Sequence, residues 1–226
     1  MKSNKPASAS AIDSKGVTLE GFLDRLAART PTPGGGALTG WVGAMGCALG
    51  RMVAAYSIKE GMDAEARAVV ESAAARLHRC DMIFRALAFR DEQAYQSMTD
   101  ARRNLRTRPE GAAAKSDYEE AVREATLIPL EMAALAVEGL ATLDESKAAA
   151  TVHLLSDLAI AADLLEATVR TAGHTLRVNV PQLSESAQRQ KLTDDLQRIL
   201  HRTRRLHESA NRFVGARFEN PAASNR

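Results

Sequence analysis

Between Gly36 and Ile58 the chain reads as a helix that is apolar on almost every side, and a helix of that kind has to be buried. Gly36, Gly40, Gly43, Cys47, Gly50 and Ala54 recur at helical spacing as a stripe of small residues. Leu38, Val42, Met45, Leu49 and Met52 form a larger apolar stripe on another side. A glycine inside a helix costs about 1 kcal/mol relative to alanine, so several together imply close approach of another backbone or a flat ligand. Other elements must therefore surround this helix. A subunit interface would meet that need as well as a monomer core.

The rest of the chain offers helices for the purpose. Aromatic residues make up 4% of the 226 residues, which with abundant alanine favours helix over sheet. Thr18 is a plausible N-cap for a short helix that stops before Pro31-Thr32-Pro33-Gly34-Gly35-Gly36, the strongest break in the sequence. Asp63 opens a third helix to about Arg103. Ser116 and Glu119 have capping-box spacing for a fourth reaching Leu143, with Pro129 expected to kink it. A fifth is expected from about Ser146 to Thr171, ending near Gly173, and a last from about Ser184 to Arg217. No repeat or linker divides them. The expectation is an all-α single domain, a bundle of long helices over residues 18–218, between a disordered tail (1–17) and a C-terminal tail (219–226).

Charge and cysteine content narrow the classes of function. Thirty Lys+Arg against 28 Asp+Glu is too balanced to imply a nucleic-acid or membrane partner. Two cysteines, Cys47 and Cys80, exclude a disulfide scaffold and an all-cysteine metal site and fit a reducing cytosol. The polar start is no secretory signal, and the apolar window Ala37 to Leu49 is too short to span a bilayer. A cytoplasmic protein is expected. The five histidines form no recognisable ligand pair, so no metal site is assigned. The arginine-rich face of the last helix lacks a nucleic-acid recognition motif and reads as a solvated face.

Two acids interrupt apolar seams. In the third helix Val70, Ala73, Leu77, Cys80, Phe84, Leu87, Ala94 and Met98 follow alternating three- and four-residue steps, and the missing step is Asp91. In the fifth, Leu154, Ala161, Leu164 and Thr168 make a similar seam whose missing step is Asp157. A structural acid paired with an arginine would explain Asp91. So would a general acid–base whose pKa is raised by burial. Asp157, beside Ser156, reads more simply as a helix-end partner. The glycine turn Gly34-Gly35-Gly36 exposes free N–H groups where a helix begins, suited to a carbonyl or carboxylate, or it is only a loop. Tyr95 and Trp41 read as packing residues.

Taken together these residues resemble the cyclodeaminase/cyclohydrolase family of folate enzymes. The likeness runs through Pro31 to Gly36, the run Gly43 to Val53, Asp91-Glu92-Gln93-Ala94-Tyr95, Ile128-Pro129-Leu130, Ser156-Asp157 and Val178-Asn179, spanning about Thr18 to Phe218. The resemblance implies an all-helical subunit that forms a homodimer through the buried small-residue helix, with the folate cleft near the interface. It places the catalytic aspartate at Asp91, and substrate-binding positions at Pro33, Gly34, Gly35, Gly36, Ser156, Asp157 and Asn179. It implies no cofactor besides the folate substrate. This chain departs from the pattern at Ala37, Ala150-Thr151 and Thr175, where polar contacts to a folate are replaced.

The implied reaction is hydrolysis of 5,10-methenyltetrahydrofolate to 10-formyltetrahydrofolate by acid–base catalysis. The alternatives are formiminotetrahydrofolate cyclodeaminase, which releases ammonia, and a noncatalytic helical subunit of the same family. The sequence shows no formiminotransferase domain ahead of the helices, which favours the cyclohydrolase.

Overall fold

The computed structural model describes residues 18–108 and 111–219; both expected tails lie outside them, apart from Glu219. Six α-helices make up the described chain, with no strand among the described residues: α1 (Leu19–Ala27), α2 (Gly35–Ser57), α3 (Ala64–Thr107), α4 (Ala112–Ser146), α5 (Leu155–Asn179) and α6 (Ser186–Glu219). Short 3₁₀ turns at Lys147–Ala149, Val152–Leu154 and Val180–Gln182 join the last three.

Side-chain caps start the first and third helices where the sequence places them. The Thr18 hydroxyl accepts from the Gly21 N–H at 3.0 Å, and the Asp63 carboxylate accepts from Glu65 and Ala66. Two expectations are corrected. Helix α4 begins at Ala112, so Ser116 lies inside it and makes no capping box; Ala112-Ala113-Ala114 are strong helix formers and carry the helix back to Gly111. Helix α5 begins at Leu155 and runs through Gly173 to Asn179, because α6 packs there and Leu196 lies 3.6 Å from where a Cβ of Gly173 would be.

Helix α2 is the centre of the bundle, packed on α3 along one side and α5 along the other. Its small stripe is what permits this. A Cβ on Gly40 would stand 3.0 Å from the Ala88 backbone, one on Gly43 2.6 Å from the Phe84 ring, and one on Gly50 2.7 Å from Leu143. Every apolar member of the expected α3 seam from Val70 to Met98 is buried. Helix α1 closes one end through Phe22, whose ring lies 5.9 Å from Trp41, which in turn packs edge-on against Phe89 at 5.8 Å.

The small stripe of α2 is not the part of that helix through which a dimer could form. That stripe is filled by α3 and α4 of the same chain, which leaves a second copy no access to it. The larger stripe stays open, with Leu38 and Met45 exposed and Val42, Leu49 and Met52 half-buried. By length and hydropathy α2 and α4 would suffice to cross a membrane, but 56% and 67% of their apolar windows are buried inside the bundle.

Phe84 has no exposed surface into which it can retreat. Replacing Gly43 by leucine should therefore destabilise the fold by about 1–3 kcal/mol or more, beyond the roughly 1 kcal/mol gained in helix propensity. A urea-denaturation midpoint equal to that of the unsubstituted protein would contradict the close packing.

Candidate active site

The register of α2 against α3 carries Asp91 to the start of α2. Gly36, Gly40 and Gly43 rise along one helix as Asp91, Ala88 and Phe84 descend along the other, each pair in contact. Asp91 lies flat on the backbone of Gly36, its Oδ1 only 2.1 Å from where a Cβ would stand, so any side chain at position 36 would displace it. Gly34 caps α2 without a side chain to offer. The Ala37 N–H donates instead to the Asp91 carboxylate, so a residue of α3 serves as acceptor for the first turn of α2. The N–H groups of Gly35 and Gly36 share that turn, where the helix itself supplies no carbonyl partner.

Asp91 makes no ion pair among the described residues. Arg90 turns to Glu131 and Glu124, and Arg25 of α1 binds Glu92 at 2.6 Å. The arginine-paired reading of Asp91 is thereby excluded for the described chain. Burial raises its pKa from 3.8 to about 6; the Ala37 hydrogen bond opposes that rise and the Glu92 charge adds to it.

A cleft of about 390 Å³ opens over this carboxylate. Pro31, Thr32, Gly34, Gly35 and Gly36 form one wall, Asp91, Tyr95 and Met98 of α3 a second, and His174, Thr175, Val178 and Asn179 of α5 a third. Pro33, joined to Thr32 by a cis peptide, is buried behind the wall and does not line it. Thus Gly34, Gly35, Gly36, Asp91 and Asn179 are brought together.

Asn179 also has a structural duty. Pro129 has no N–H to return to the carbonyl of Ala125, one turn earlier in α4. The Asn179 side-chain amide donates to that carbonyl at 2.9 Å, so α4 stays continuous and the end of α5 is pinned beside the cleft. Its amide oxygen is the group left to offer a ligand.

Ser156 and Asp157 are not part of this cleft within one chain. They sit at the first turn of α5, about 27 Å along the helix from Thr175 at 1.5 Å per residue. The buried face of α5 is Leu155, Leu158, Ala161, Ala162, Leu165, Thr168 and Val169, so Asp157 is only half-buried and fills no step of it. Of the expected seam, Ala161 and Thr168 are on this face, Leu164 is at its edge, and Leu154 belongs to the 3₁₀ turn before the helix.

Tyr95, His174 and Thr175 were not assigned to the site from sequence. Tyr95 is 43% exposed and faces the cleft, which corrects its reading as a packing residue. Thr175 stands out in the sequence only as a departure from the family pattern, and it lies four residues before Asn179, on the same helical face. Trp41 does pack, against Phe22 and Phe89. Among the described residues no three His, Cys, Asp or Glu converge as metal ligands.

Comparison with known proteins finds related chains. Residues 18–198 match the formiminotransferase-cyclodeaminase family. A methenyltetrahydrofolate cyclohydrolase of Methylorubrum extorquens is 27% identical over 192 residues, covering 84% of this chain and 92% of that protein. The formimidoyltransferase-cyclodeaminase of Mus musculus is 25% identical over 180 residues, which are 77% of this chain and 32% of the mouse protein. The chain thus spans about a third of that relative. The crystal structure of formiminotetrahydrofolate cyclodeaminase from Thermotoga maritima has the same fold, with a TM-score of 0.82 at 22% identity over 90% of this chain and 98% of that one.

The raised pKa of Asp91 carries a stability signature. The folded chain holds this proton up to about pH 6 and the unfolded chain releases it near 3.8, so stability falls as pH rises through that window. Asp91→Asn removes the penalty. The variant should match the wild type near pH 4 and exceed it by about 1–2 kcal/mol at pH 8, the full shift being discounted for partial solvation. Denaturation at the two pH values measures this; a difference that does not grow with pH would refute the burial account.

Proposed function

Because the chain belongs to the formiminotransferase-cyclodeaminase family, we propose that it is a cytoplasmic folate one-carbon enzyme that hydrolyses 5,10-methenyltetrahydrofolate to 10-formyltetrahydrofolate, with Asp91 as its acid–base residue. The observation that carries the proposal is a cleft-facing carboxylate with no cationic partner among the described residues, held on the N-terminal turn of α2 with a pKa of about 6. The match to 92% of a methenyltetrahydrofolate cyclohydrolase supports this reaction.

The substrate's bridge, N5–CH=N10, is a cation, and an ionised carboxylate without an arginine beside it is suited to hold it. Asp91 takes one proton from the attacking water as its oxygen bonds to the bridge carbon. The neutral tetrahedral adduct then collapses: the C=O forms, the C–N5 bond breaks, and Asp91 returns its proton to N5. The remaining hydroxyl proton leaves to solvent, so the reaction nets one water consumed and one proton released. General acid–base help of this kind contributes about 10²–10⁴-fold. In this reading the N–H groups of Gly35 and Gly36 hold a carbonyl or the developing oxygen, and Asn179 and Thr175 meet the pteridine. Neither a metal nor a redox cofactor enters the proposal.

In the cyclodeaminase alternative Asp91 would protonate departing ammonia, so the two chemistries demand opposite protonation states. A base must be ionised, and its activity is lost as pH falls through the pKa. Decay of 5,10-methenyltetrahydrofolate absorbance above the buffer rate should therefore rise with pH to a plateau above about 6, and Asp91→Asn should lose at least 100-fold. Unchanged turnover in the variant would remove Asp91 from the chemistry. Turnover of formiminotetrahydrofolate, with no acceleration of methenyltetrahydrofolate decay, would favour the alternative.

The proposal includes a homodimer, supported by the open apolar stripe of α2 around Leu38 and Met45. Met45→Asp should convert a dimer to a monomer in sedimentation; a dimer that survives it would place the contact elsewhere.

A further inference from the structure

The C-terminal half of α5 has two working sides. Thr175, Val178 and Asn179 look into the Asp91 cleft. Arg170, His174 and Arg177 face α6 across a second groove of about 450 Å³, completed by Gln197, His201 and Arg204 among others. His174 lines both, so the groove opens off the cleft.

No carboxylate lines this groove. Arg170 reaches Glu166 at 3.8 Å along its own helix, and Arg177 faces only the His174 ring at 3.5 Å. Arg204 has no ion pair or side-chain hydrogen bond among the described residues. Several arginines elsewhere on the surface are paired: Arg76 with Glu138 and Glu145, Arg85 with Asp81, Arg198 with Asp195. Unneutralised guanidinium groups gathered around one groove repel one another, and an anion relieves that repulsion. The planar guanidinium fork matches a carboxylate in two parallel hydrogen bonds.

We propose that the α5–α6 groove is an anion subsite that holds the carboxylates of the substrate's glutamate tail on Arg177 and Arg204 while the pteridine end occupies the Asp91 cleft. The inference rests on the folate reading above and adds to it where the far end of the substrate goes. His174, at the junction, borders the passage between the two ends. Contacts to the tail are the same in ground and transition states, so they set KM and leave kcat alone.

The test is the double variant Arg177→Gln/Arg204→Gln, both residues being exposed and outside the core. With 5,10-methenyltetrahydrofolate its KM should rise about tenfold or more at unchanged kcat, as expected for two charge-assisted contacts in partly solvated surroundings. With the same bridge carried on tetrahydropteroate, which lacks the glutamate, the variant and the wild type should have equal KM. An unchanged KM for the glutamate substrate, or an equal rise for both substrates, overturns the proposal and leaves the reaction assignment standing. If the wild type turns over neither substrate, the reaction assignment has failed. Calorimetry then reads the groove directly: γ-linked triglutamate bound by the wild type and not by the variant supports a carboxylate subsite. Binding of inorganic phosphate or an RNA oligonucleotide in place of the peptide overturns it.

Discussion

How near α2 can lie to α3 governs the site. The contact is an antiparallel register in which Gly36, Gly40 and Gly43 meet Asp91, Ala88 and Phe84. At two of those steps the absent glycine side chain is replaced by apolar packing, the Phe84 ring and the Ala88 backbone. At the third it is replaced by a carboxylate. The same close approach that buries the core therefore seats an acid on the N-terminal turn of α2. Were the helices held further apart by alanine or valine, Asp91 would sit in open solvent and lose the Ala37 amide.

Opposing effects then set its protonation. Burial favours the neutral acid; the Ala37 N–H at the positive end of α2 favours the anion. Glu92 next in sequence pushes further toward the acid, even though Arg25 holds it at 2.6 Å. Helix α1 is thereby tied to the site by an ion pair as well as by the Phe22–Trp41–Phe89 stack. On the opposite wall, the proline that interrupts the α4 hydrogen-bond ladder and the asparagine that repairs it fix where α5 ends. Each wall of the cleft is anchored by a contact made for packing reasons elsewhere in the fold.

Much of the site was legible from periodicity. Asp91 announced itself by breaking a seam whose other members are all buried, because three- and four-residue steps fix which side chains turn inward. Gly34 to Gly36 announced themselves as a break followed by a helix start. Asp157 was flagged by the same logic and failed it: Leu155, Leu158 and Leu165, rather than Leu154 and Leu164, are the leucines buried there, so Asp157 lies at the edge of the buried face of α5. Tyr95 was read as packing because an aromatic residue in an apolar helix usually packs, and nothing local distinguishes one that faces a cleft.

The amino-acid sequence by itself determined an all-helical chain, the positions of the α1 and α3 caps, and the residue at which a carboxylate meets the core. Those follow from local propensity, capping chemistry and helical spacing, which act over a few residues. The tertiary structure alone decided which stripe of α2 is used up inside one chain and which stays open, since both are apolar and only their neighbours differ. It likewise decided that Asn179 repairs the gap left by Pro129, and that Ser156 and Asp157 lie some 27 Å along α5 from the cleft. Such pairings join residues far apart in the chain, and no local pattern encodes them.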